Sequence, residues 1–82
     1  MDLVLLTKNI IEMIVLDKEA VSVRQFDTTD DELIHLEVLV TNDDLGRVIG
    51  RNGKTINSIR NVVQASSTLN IGKKVKIEVD SY

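Results

Sequence analysis

The stretch Leu45-Gly46-Arg47-Val48-Ile49-Gly50-Arg51-Asn52-Gly53-Lys54-Thr55-Ile56 decides how the rest of the chain is read. Gly50 and Gly53 bracket a two-residue tip, Arg51 and Asn52. Glycine carries no Cβ, so it permits sharp backbone turns and lets another group come close to the main chain. Ahead of this turn there is room for a short helix only, which Gly50 stops. After it, Ile56, Ile59, Val63 and Ser66 recur at helical spacing, so a longer helix runs over 54–69. The N–H groups and dipole at the start of that helix favour an anion, and Arg51 and Lys54 add positive charge at the same point.

Working outward, Asn42 is an expected N-cap for the short helix, and Asp43 and Asp44 suit its positive end. Residues 33–40 alternate, with Ile34, Leu36, Val38 and Val40 on one face and His35 and Glu37 on the other. Residues 20–26 do the same, with Val21 and Val23 opposite Ser22 and Arg24. The acidic turn Asp27-Thr28-Thr29-Asp30-Asp31 joins these two strands as an antiparallel hairpin. Near the C-terminus Val75, Ile77 and Val79 alternate with Lys74, Lys76, Glu78 and Asp80, a strand covered on one face. Asn70 and Gly72 end the helix before it. Residues 2–16 carry Leu3, Leu6, Ile10, Met13 and Ile14 at helical spacing, and Val4, Ile11 and Val15 widen the stripe.

The order is α-β-β-α-α-β over a single domain, residues 1–82. Two consecutive helices between the second and third strands make a crossover long enough for those strands to lie parallel. Only one side of each strand is apolar, so all three helices must cover the same face. The expected fold is a two-layer α+β domain with a three-stranded mixed sheet.

The net charge of −3 would argue against a nucleic-acid partner, but it hides an asymmetry. Residues 46–77 hold seven basic residues and no acidic one, whereas residues 1–45 hold three basic and eleven acidic ones. Phosphate responds to the local field and not to the sum. No cysteine is present, which excludes disulfides and thiolate metal sites. The run Leu3-Val4-Leu5-Leu6 lacks a basic flank and is interrupted by Lys8 and Glu12, so neither a signal peptide nor a membrane span is expected. A cytoplasmic protein is the corresponding expectation.

The segment Val48-Ile49-Gly50-Arg51-Asn52-Gly53-Lys54-Thr55-Ile56 resembles the KH-domain signature: an aliphatic pair, G-x-x-G, then an isoleucine three residues on. The element order resembles the type II arrangement, and the chain is similar to small bacterial single-KH-domain proteins of the KhpA type. G-x-x-G alone is common by chance; its place between two helices in this order makes the match specific. The resemblance implies single-stranded RNA as the ligand. Gly50, Arg51, Asn52 and Gly53 would line the backbone of about four unpaired nucleotides, flanked by Arg47 and Lys54. Val48 and Ile49 would floor the bases, and the last strand would form the opposite wall, with Lys73, Lys74 and Lys76 near its rim. It also implies a post-transcriptional regulator or RNA chaperone acting as a homodimer or with another KH-containing protein. Leu3, Val4, Leu5, Ile11 and Val15 are the residues that could pack against such a partner.

Other chemistries find less support. With Phe26 and Tyr82 as its only aromatics, the chain lacks a base-stacking platform. Gly53-Lys54-Thr55 echoes a P-loop, but Val48 stands where the first glycine is required. Asp27, Asp30, Asp31 and Glu32 lack EF-hand spacing. His35 has no second metal ligand in register, and Ser22, Ser58, Ser66 and Ser67 have no partnering base. No enzyme, cofactor or metal is expected. Arg60 faces either phosphate or solvent. A protein–protein adaptor on the same scaffold is the rival reading.

Overall fold

A computed structural model describes residues 1–82. Helix α1 covers Leu3–Glu12, strands β1 and β2 cover Ser22–Phe26 and Leu33–Val40, and helix α2 covers Asn42–Ile49. After the glycine loop, helix α3 covers Lys54–Asn70 and strand β3 covers Lys74–Ser81. The sheet order is β1-β2-β3, with β1 antiparallel to β2 and β3 parallel to β2. Leu36 faces Gln25 on one side and Ile77 on the other. The α+β, α-β-β-α-α-β architecture expected from the pattern is the one observed.

Ile34, Leu36, Val38 and Val40 of β2 are all buried, with Val21, Val23 and Ile77 flanking them. Above this layer Ile56, Ile59 and Val63 of α3, Val48 of α2 and Leu3 and Ile11 of α1 complete one core. Ser67, and not Ser66, continues the buried line of α3, because its hydroxyl donates to the carbonyl of Lys73 at 2.7 Å.

Two expectations are corrected. Helix α1 ends at Glu12, and its buried face is Leu3, Thr7 and Ile11, one residue in every four. Leu6, Ile10 and Ile14 lie at its edge, and Met13 is 79% exposed. Leu3, Ile11 and Val15 are therefore part of the chain's own core and offer nothing to a partner, whereas Leu5 is exposed. The cap of α2 is Thr41, whose hydroxyl accepts from the N–H of Asp44; Asn42 is already helical. His35 pairs across the strands with Glu78 at 3.4 Å, on a sheet face where Arg24 also meets Glu37 at 3.6 Å. On that face a hydrogen bond from Lys76 holds the Glu78 carboxyl below its ordinary value.

Asp44 does far more than suit a helix dipole. It is 1% exposed, and its two carboxylate oxygens accept the N–H groups of Leu16 and Asp17, each at 3.0 Å. Thr41 donates to it at 3.3 Å and Arg47 Nε lies at 3.4 Å. A buried carboxylate is tolerable only when its lone pairs are met by such donors. The connection from α1 to β1 is thereby stapled to the first turn of α2. The backbone donors of Asp17 and Leu16 are the main reason its carboxyl is held below the usual value.

Two outcomes follow from this packing. Thr7 is fully buried and its hydroxyl has no hydrogen-bond partner. Thr7→Val should therefore raise stability by about 1 kcal/mol, read as a higher urea midpoint. Because the folded-state pKa of Asp44 is depressed, its stabilisation is complete above the unfolded carboxylate range. It is lost as pH falls below about 4 toward the folded value. Urea melts from pH 7 downward should show the wild type losing stability more steeply than Asp44→Asn, which starts lower at pH 7.

Candidate nucleic-acid interface

The loop between α2 and α3 is built by two glycines with different tasks. Gly50 has φ 76° and ψ 172°, a region open only to glycine, and its N–H donates to the carbonyl of Gly46 at 2.9 Å. A Cβ on Gly50 would press into Thr55, 2.7 Å from its Cβ and 2.9 Å from its backbone nitrogen. Gly50 is thus needed for the chain to pack against the start of α3. Gly53 has φ 75° and ψ 13°, but a Cβ there would meet only Asn57 Nδ2, at 3.8 Å. The space over Gly53 is open.

Asn52, with φ 58° and ψ 26°, is also left-handed, a conformation that asparagine tolerates better than most residues. The loop closes on itself through the N–H of Gly53, donated to the carbonyl of Gly50 at 3.2 Å, and that of Lys54, donated to the carbonyl of Arg51. No side chain caps α3. The N–H groups of Gly53 and Lys54 are spent within the loop, and the open space over Gly53 lies beside the start of α3. Arg51, Asn52 and Lys54 surround that point with exposed side chains.

Arg47 is 52% exposed on its side chain and shares its charge with Asp44. Ile49 is 37% exposed and presents an aliphatic surface beside the loop. Val48 is the exception among the residues assigned to the site. It is completely buried, because it is the α2 residue that points into the core, and it supports the loop from beneath without reaching a ligand.

The far wall also differs from expectation. Because Val75, Ile77 and Val79 turn toward the helices, Lys74 and Lys76 project from the opposite sheet face, where Lys76 pairs with Glu78 at 3.2 Å. Lys73 lines a separate surface cavity of about 410 Å³ with Met1, Leu3 and Ile71, away from the loop residues.

What stands beside the loop instead is a polar stripe on α3. Gly53, Asn57, Arg60 and Gln64 follow one another at spacings of four, three and four. Arg60 donates to Asn57 Oδ1 and to the carbonyl of Ile77, both at 3.1 Å. Gln64 donates to the carbonyl of Lys73 at 3.1 Å and accepts the N–H of Val75 at 2.9 Å. The helical spacing of this stripe was visible in the sequence, but its target, the outer edge of β3, was not.

Comparison with known proteins agrees with this fold. A family model described as "KhpA/KhpB, KH domain" matches residues 5–79. The chain belongs to the KhpA/KhpB family of KH domains. The RNA-binding protein KhpA of Streptococcus pneumoniae serotype 4 is 35% identical over 71 residues, 87% of this chain and 85% of that protein. RNA-binding protein KhpA of Halalkalibacterium halodurans is 41% identical over 46 residues, 56% of this chain and 60% of the relative. That of Leifsonia xyli is 48% identical over 44 residues, 54% of each. The match thus spans little more than half the length of the latter two relatives. Among solved structures, Era in complex with MgGDPNP and nucleotides 1506–1542 of 16S ribosomal RNA superposes with a TM-score of 0.66. The alignment covers 99% of this chain and 31% of Era at 19% identity, a likeness of fold.

The two glycines of this KH domain should separate on substitution. Gly50→Ala should unfold a large part of the population, since both φ/ψ and Thr55 reject a Cβ. Gly53→Ala should cost only about 1 kcal/mol, the strain of a left-handed alanine. Thermal melts of the two variants side by side check this; equal losses would contradict the division of tasks.

Proposed function

We propose that this KH domain binds single-stranded RNA, without catalysis, through the loop Gly50-Arg51-Asn52-Gly53. The observation that carries the reading is the uncapped start of α3, open above Gly53 and ringed by Arg51, Asn52 and Lys54. Phosphate oxygens fit such a position, since backbone N–H groups and nearby cations hold them without reference to base sequence. Arg47 adds charge on the α2 side, and Ile49 provides an aliphatic contact where an aromatic platform is absent. The names of the relatives, RNA-binding protein KhpA, point the same way.

A loop of this size engages few phosphates, so a single domain binds weakly at physiological salt. Joining a second KH module, in another copy of this chain or in a related protein, raises the effective concentration of the second contact. The family's description names the KH domain of both KhpA and KhpB, so modules of this kind occur in more than one protein. In this reading the protein is a cytoplasmic post-transcriptional regulator or RNA chaperone.

Replacing Arg51 and Asn52 together with aspartate tests the loop. Both side chains are exposed, so the domain should stay folded while two new negative charges repel phosphate. Anisotropy with an unstructured RNA should show at least a tenfold loss, on the order of 1.4 kcal/mol. The wild type should show a log–log salt slope of about −2, matching roughly three phosphates. A folded double variant with unchanged affinity would remove the loop from the binding site.

A further inference from the structure

We infer that Arg60 inverts the hydrogen-bonding character of the groove wall, so that bases presenting a keto oxygen are favoured over bases presenting an amino group. The inference rests on the RNA-binding reading above and concerns which bases that same site accepts. β3 is one of the two edge strands of the sheet, the one beside α3. Its even-numbered residues bond toward β2, as the N–H groups of Lys74 and Tyr82 do, donating to the carbonyls of Glu32 and Val40. The backbone groups of Val75, Ile77 and Val79 therefore point outward, where a base edge would meet them. A bare strand edge offers carbonyl acceptors between its N–H donors, and the Ile77 carbonyl is the acceptor that would suit the amino group of adenine or cytosine.

Here the Ile77 carbonyl is already occupied by Arg60 Nη2 at 3.1 Å. Gln64 blocks the same edge one turn further along, at Lys73 and Val75. A guanidinium has five N–H donors and no acceptor, so what Arg60 shows to the groove is a donor where the strand would show an acceptor. It makes no ion pair within the chain. Its fork is held by Asn57, which in turn lies beside Gly53. Arg60 is roughly 10 Å along the helix axis from Gly53, within reach of a nucleotide whose phosphate sits on the loop. Uracil O4 and the O6 of guanine or hypoxanthine accept from such a donor, whereas the N4 and N6 amino groups cannot.

The test uses the full chain and short unstructured RNAs that differ only by uridine-to-cytidine or inosine-to-adenosine replacement. The wild type should bind the keto member of each pair at least about fivefold more tightly. Arg60→Ala should weaken all four and abolish or reverse the ratio, because the Ile77 carbonyl is then free to accept. Arg60→Lys, which keeps the charge without the fork, should recover affinity more than preference. Thermal melts establish that each variant is folded, and Arg60→Lys serves if Arg60→Ala is not. Equal binding of keto and amino strands by the wild type, or the same ratio in the variants, overturns the inference. Failure of the wild type to bind any of the four would sink the RNA-binding reading itself, and this inference with it.

Discussion

The buried carboxylate of Asp44 is the contact on which the placement of the loop depends. Two backbone N–H groups from the α1–β1 connection converge on it, and Thr41 and Arg47 close the remaining sides. Without those donors the charge could not stay out of water. With them, α2 is held against a segment nearly thirty residues earlier in the chain. A small domain has a limited core, so one well-satisfied polar staple of this kind has a large share in setting where α2 lies.

From that fixed helix the proposed binding loop follows in one direction. Val48 anchors α2 from below, Gly50 turns the chain so that Thr55 packs behind it, and Gly53 leaves the start of α3 open. The two glycines look equivalent in the motif, yet only the first is demanded by the fold. The second is surrounded by empty space, which is what a ligand needs. Along α3 the polar stripe then carries the surface from the loop to the edge of β3, where Arg60 and Gln64 satisfy strand groups that an unpaired edge would otherwise expose.

Charge is distributed more sparingly than the composition suggests. Of the seven basic residues between 46 and 77, Arg47, Arg51, Lys54 and Arg60 lie on α2, the loop and the first half of α3. Lys74 and Lys76 belong to the other face of the sheet, where Glu78 of the same strand pairs with Lys76. The field that a phosphate would meet is therefore set by four cations, one of them already shared with Asp44.

The order of elements, the one-sided strands and the glycine loop were legible in the sequence because each depends on local periodicity. Alternation in 33–40 can bury only one face, and a crossover of two helices permits a parallel return. The loop assignment rested on the same kind of information, since glycine's φ/ψ freedom and neighbouring charge are local properties. Resemblance to KH domains added the ligand class, which no periodicity supplies. Rotation and reach could not be read. Which stripe of α1 is buried depends on α3 and β1, so Thr7 replaced the expected apolar position. Lys74 and Lys76 are the exception, since the alternation of β3 already turned them away from the helices. Asp44 and Arg60 draw their roles from groups far along the chain, Leu16 and Asp17 in one case and Ile77 in the other. Hydrogen bonds between distant backbone and side-chain atoms exist only once the layers are assembled, so tertiary structure alone decided them.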